Sequence, residues 1–332
     1  MATQVYSPET AAAPSATAPS VAAPSAVAPN PAATTGVFVG SLLALARQKH
    51  FWSPAVFART SWGALTNIGM RREILQLLDF PPYAELAQRS SRFVLKFLAR
   101  DFLVRGLTVA ERASCFVHHY RRLRAVLPER LLRQTLQHDT ILCEIGEGSN
   151  HFTLTMGLPK ALDKEGEMSI NLLVDGETVF VLSFAIVPGC VVKSEAADVL
   201  LISHLQGIKG AYSQIHLATK TLHDVAPGAI LLAAVQGIAI AWGIGQLAGV
   251  CATRQTCYTE DLDAIFKSNY DEFFTELGMV RHPDGFFLSP VPMKNKPLKY
   301  IKQGHKLRTK EKRAFKLQIQ FACGRFFKSA RA

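Results

Sequence analysis

The chain has 332 residues, 48% hydrophobic and 19% charged, with a net charge of +11. That balance fits a folded protein with one large core or two modest ones and excludes a chain disordered throughout. Its six cysteines contain no Cys-x-x-Cys pair, which excludes a zinc ribbon or a dithiol redox motif and fits a reducing compartment.

The charge is localised. Residues 294–332 carry 13 Lys or Arg and one acid, Glu311, a net +12, whereas the rest has 24 basic and 25 acidic residues. A block of this kind points to a polyanion such as acidic lipid or nucleic acid, or to solubility alone. The N-terminus has neither a basic n-region nor an apolar h-region, so a cytoplasmic location is expected.

Residues 8–35 are almost entirely Ala, Pro, Ser, Thr and Val, which predicts a disordered or extended leader over residues 1–36. Residues 37–138 read as a helical region. Phe93, Val94, Phe97, Leu98 and Phe102 recur near helical spacing, and Thr108 with Glu111 fits a capping box. His118 and His119, being adjacent, point to different sides of the helix that follows. Arg121, Arg122 and Arg124 read as its solvated face.

From Thr140 the pattern alternates. Residues 152–156 and 168–172 read as strands, and Asp175-Gly176 joins 169–174 to 178–187 as a hairpin. A strand over 198–204 and a helix over 211–223 follow. Residues 225–253 then hold no charge at all, long enough to suggest a membrane span of ~20 residues. Gly243 and Gly245 interrupt this run, leaving a buried helix over 229–242 and a strand over 246–253. A short helix over 270–277 stops at Gly278, residues 286–288 read as a last strand, and a basic helix closes the chain. Phe315, Ile319, Cys323 and Phe326 form an apolar stripe on that helix. The class is α+β: a helical region, an α+β core over 139–293 with an antiparallel-to-mixed sheet, and a basic tail over 294–332.

Several words resemble the VirK/YbjX family of Gram-negative bacteria. They are His204-Leu205-Gln206-Gly207, Thr219-Lys220-Thr221-Leu222-His223, Gly249-Val250, the run from Tyr270 to Gly278, and Gly285-Phe286-Phe287-Leu288, in the family's order over roughly residues 42–327. The resemblance implies a role in envelope stress, in resistance to cationic antimicrobial peptides or in surface placement of virulence factors. It implies no settled enzymatic activity.

The sharpest local constellation is Gln206, Gly207, Ile208, Lys209, Gly210 and Ala211, between a strand and a helix. Free amides at such a helix start can cradle an anion. In acyl-CoA-dependent N-acetyltransferase folds a turn of this kind holds the pyrophosphate after an antiparallel meander, which makes acyl-CoA the candidate cofactor. A glycine turn needed only for chain reversal is the other reading. His216, Lys220 and His223 are spaced to share one helix face, and no metal site is expected of them, because a lysine sits between the histidines. His216 or His223 could act as acid or base, as could Tyr270 and Glu276. Packing of Tyr270, Phe273, Phe274 and Leu277 is the alternative.

Three functional readings therefore stand. One is a non-enzymatic envelope-stress factor, held at anionic inner-membrane lipid or at an envelope protein by Lys302, Lys306, Lys310, Lys312, Arg313 and Lys316, with the apolar stripe at the interface. Another is an acyl-CoA-dependent acyltransferase acting on an envelope component. The third is a nonspecific nucleic-acid binder, without sequence-specific contacts.

Overall fold

The computed structural model describes residues 4–6, 40–41, 62, 68–90, 92–147, 150–159 and 164–330. The chain divides into two compact units, residues 8–95 and residues 1–7 with 96–332. The expected border at residue 138 does not coincide with this division.

In the smaller unit, α1 (Ile68–Leu77) and α2 (Pro81–Arg89) are helical. Pro81 and Pro82 begin α2, where a helix needs no amide donors, and the Phe80 and Tyr83 rings meet edge to face at 5.1 Å. Residues 8–35, expected as a leader, lie outside the described residues.

The apolar residues around Phe93 form a 3-10 helix, Phe93–Leu98, instead of the expected α-helix. Five of its six side chains are buried, so no solvent face exists to set an α-helical period. The larger unit then continues with α3 (Val109–Val126) and α4 (Glu129–Gln137). The capping box is present: Glu111 N donates to Thr108 Oγ1 at 3.2 Å, and Thr108 N donates to Glu111 Oε2 at 2.7 Å. The paired histidines do diverge. His118 Nε2 meets Asp198 at 2.8 Å, while His119 is fully buried and its Nδ1 accepts the Ile186 amide at 3.0 Å. Arg122 also pairs with Asp198, at 2.8 Å, so it ties α3 to the sheet, whereas Arg121 and Arg124 are exposed.

Burial pushes the His119 pKa down to about 3, with Lys96 and His118 adding to the effect. An unfolded chain takes up this proton near pH 6.5. Stability is therefore complete above that pH and is lost as pH falls toward 3, by about 3 kcal/mol at pH 4. Urea midpoints measured from pH 7 to 4 should show this slope, and His119→Gln should flatten it. Equal slopes in the two proteins would refute the assignment.

Among the described residues, nine strands form one sheet in the order β1-β2-β3-β4-β5-β6-β7-β9-β8. They are β1 (Gln4–Tyr6), β2 (Thr140–Glu147), β3 (Asn150–Gly157), β4 (Met168–Val174), β5 (Glu177–Pro188), β6 (Asp198–Gly207), β7 (Gln246–Val250), β8 (Val280–His282) and β9 (Phe286–Pro290). Every pair is antiparallel except β6 with β7. The β4–β5 turn is the one expected, with Asp175 at φ 50° and Gly176 at φ 87°, as a tight two-residue hairpin requires. Gln4–Tyr6 is an edge strand on β2 and so departs from the expected leader; its partners are Gly146, Ile145 and Glu144.

After β6 come α5 (Tyr212–Thr221) and α6 (Pro227–Trp242). The uncharged run is thus a helix and a strand, divided by Gly243 in the left-handed conformation at φ 72°. Among the described residues no helix is long and apolar enough to cross a membrane. The strand is shorter than expected. It ends at Val250, whose carbonyl accepts Gln255 Nε2, and Ala252–Arg254 curls into a 3-10 turn.

The last helix, α7 (Lys306–Ser329), lies along α6. Phe315, Ile319, Cys323 and Phe327 face inward at four-residue spacing, and the Phe327 ring meets Trp242 at 5.3 Å. Phe327 thus takes the place expected of Phe326, which is only half-buried. The expected interfacial stripe is core. The helices touch backbone to backbone at Gly237 and Gly324, where a Cβ on Gly237 would lie 2.1 Å from the Gln320 carbonyl oxygen.

Candidate functional site

The parallel pairing of β6 with β7 is short. Leu200, Leu201 and Ile202 on β6 stand opposite Leu247, Ala248 and Gly249 on β7, while β6 runs on to Gly207. The pairing ends at Ile202, because β7 runs only one residue further, to Val250, before the chain curls into the 3-10 turn Ala252–Arg254. Ser203 is the extra residue of a bulge against β5, and its Oγ donates to the Glu165 carbonyl. Bulges re-aim the side chains that follow.

The next residue, His204, is buried and its Nδ1 lies 2.6 Å from Glu165 Oε2. Thr256 Oγ1 donates to the other carboxylate oxygen. Burial pushes the Glu165 pKa up, but the hydrogen bond and charge of His204, then Thr256 and Cys257, outweigh it and hold the carboxyl below its usual range. The Glu165 carboxylate faces Nδ1 and so orients the imidazole, as a third group orients a catalytic base.

Tyr270 is buried against the end of β6. It sits in a π-helical turn, Lys267–Glu272, between the short helices Asp263–Phe266 and Phe273–Glu276. Such turns recur at functional sites because the extra residue displaces a side chain from the helical register. Tyr270 stacks on Phe266 at 5.9 Å, and its hydroxyl oxygen accepts the Leu205 amide at 3.5 Å. That amide faces the edge of β6 that β7 has left. Among the described residues no acceptor takes the hydroxyl hydrogen of Tyr270. Burial raises its pKa, so the hydrogen stays on and is available to a developing anion. Burial and the Glu165 charge also raise the Cys257 pKa, which disfavours a thiolate nucleophile there.

The turn expected as an anion cradle lies at the same end of β6. Gly210 has φ 90° and open space where a Cβ would stand. Ile208 N and Ala211 N are spent on the Val179 and Ile208 carbonyls. Gln206, Lys209 and Gly210 are exposed, Gly207, Ile208 and Ala211 are half-buried, and α5 follows Ala211 with no side-chain cap. The first-turn amides of α5 therefore point outward, as an anion requires.

The other candidates lie elsewhere. His216 is exposed on α5. His223 does not share its face: α5 ends at Thr221, and His223 and Asp224 turn left-handed at φ 57° and 54° to start the descent into α6. The His223 ring packs on Phe315 at 5.0 Å. Glu276 is exposed, and Phe274 is buried beside Phe287. The basic residues of the tail do not form one surface. Lys312 Nζ donates to the Asp224 carbonyl and Arg313 to that of Lys296, Lys316 and Lys306 are half-buried, and Lys302 and Lys310 are exposed. His204 and Glu165 escaped the sequence reading, since 39 residues and no shared motif separate them. The one available signal was a histidine inside an otherwise apolar strand.

A family model described as "Protein of unknown function (DUF535)" matches residues 49–317. The chain belongs to the DUF535 family. No curated protein matches it, and no solved structure does.

Proposed function

We propose that this DUF535 protein binds an acyl-CoA between β6 and β7 and transfers the acyl group to an amine. The observation that carries this reading is the Tyr270 hydroxyl, held at the end of β6 by the Leu205 amide, with no acceptor for its hydrogen among the described residues. The sheet order supports it: an antiparallel meander followed by one parallel pair across a strand–turn–helix, the order of acyl-CoA N-acetyltransferase folds. An extended pantetheine chain would take up the backbone bonds that β7 leaves on β6. The pyrophosphate would lie on the amides from Lys209 into α5. His204 Nε2 would accept the proton of the attacking amine, and Tyr270 would protonate the departing thiolate. The narrower kinship with VirK/YbjX proteins, and with it a substrate in the bacterial envelope, belongs to the same proposal. Coenzyme A at millimolar concentration should raise the melting temperature, and Gly210→Glu, which puts a carboxylate at the cradle, should remove the shift. An unshifted wild-type protein would end the acyl-CoA reading.

A second reading concerns α7 and rests on its outer face. Leu307, Leu317 and Phe321 are 70%, 45% and 72% exposed on the side opposite the core stripe, with Lys310 and Lys328 among them. This face suits peripheral contact with an anionic leaflet, where each basic residue contributes ~1 kcal/mol. Vesicles containing anionic lipid should sediment the protein, and Phe321→Glu should release it. Equal sedimentation of both would acquit this face.

A further inference from the structure

A cleft of about 280 Å³ lies between α6, α7 and the loop 292–295. Its floor is apolar, formed by Ala229, Leu232 and Ala233, and its rim holds Lys294, Arg313 and Lys316 with no Asp or Glu among the lining residues. The walls are fixed from both helices. Met293 N donates to Gln236 Oε1 of α6 at 2.9 Å, and Arg313 of α7 donates to the Lys296 carbonyl. Lys316 is half-buried, and among the described residues no carboxylate pairs with it or with Arg313. Burial, then the charges of Arg313 and Lys312, push its pKa down. Leu317 lines the cleft and also begins the exposed strip that continues to Phe321 one turn on.

We propose that the cleft holds the phosphate group of a phospholipid-type amphiphile, paired with Lys316 and Arg313, its first carbons on Leu232 and Leu317. The volume accommodates a phosphate and a few carbons and no whole lipid, so the chain leaves along Leu317 and Phe321. The two cations answer the phosphate charge, and the apolar floor sets an amphiphile apart from a free ion. This deepens the surface reading of α7 and rests on it for the path of the chain.

The test uses the full chain, with dihexanoyl phosphatidate below its micellar concentration and inorganic phosphate as separate titrants in calorimetry. Phosphatidate should bind at least tenfold tighter than phosphate. Lys316→Gln and Arg313→Gln should each weaken it about tenfold, while Leu317→Gln should weaken phosphatidate and leave phosphate unchanged. No binding, equal binding of the two titrants, or full affinity in Lys316→Gln and Arg313→Gln would overturn the proposal. Phosphatidate vesicles separate it from the surface reading. If Lys316→Gln sediments as wild type while Phe321→Glu does not, the outer face stands and the cleft falls. Binding of the soluble amphiphile without sedimentation keeps the cleft and removes the outer face.

Discussion

Gly237→Val should lower stability by about 3 kcal/mol or more, because the side chain would enter the backbone of α7. A Cβ at this position lies 2.1 Å from the Gln320 carbonyl oxygen and 3.1 Å from Gly324 N, and neither can swing aside as a flexible side chain would. Moving α7 outward would uncover Phe315, Ile319 and Phe327 and part Phe327 from Trp242. The melting temperature should fall by roughly 6–12 °C. Gly245→Ala is the matched control, since nothing stands within 4 Å of its Cβ and its φ is not in the positive range. If both variants melt alike, the close crossing of α6 and α7 is wrong.

Tyr270→Phe should lower kcat for acyl transfer about a hundredfold and leave KM for the acyl-CoA nearly unchanged. The ring still stacks on Phe266, so the packing at the end of β6 is kept, and only the proton donor and the acceptor for Leu205 N are removed. The lost hydrogen bond should cost ~1 kcal/mol of stability. The measurement is release of coenzyme A thiol from acetyl-CoA with a primary amine present. The thermal shift with coenzyme A should survive the substitution, which separates loss of chemistry from loss of binding. Unchanged turnover would remove Tyr270 from the mechanism.

Much of the fold was legible because its signals are local. The capping box at Thr108 and Glu111, the Asp175-Gly176 hairpin and the break at Gly243 each depend on residues a few positions apart. The strand–turn–helix junction from Gln206 to Ala211 was legible for the same reason. His204 with Glu165 was not, since only the bulge at Ser203 and the turn of chain before β4 bring them together. The shared face of His216 and His223 failed because a helical wheel assumes the helix continues, and this one ends at Thr221.

The α+β class, the buried nature of the uncharged run and the basic tail follow from periodicity, glycine breaks and charge, which are properties of neighbouring residues. Which face of α7 is core depends on packing between distant elements, because Phe315 and Phe321 are equally apolar and the crossing at Gly237 and Gly324 selects between them. The same packing sets Tyr270 against the Leu205 amide, on the stretch of β6 that runs on past its pairing with β7.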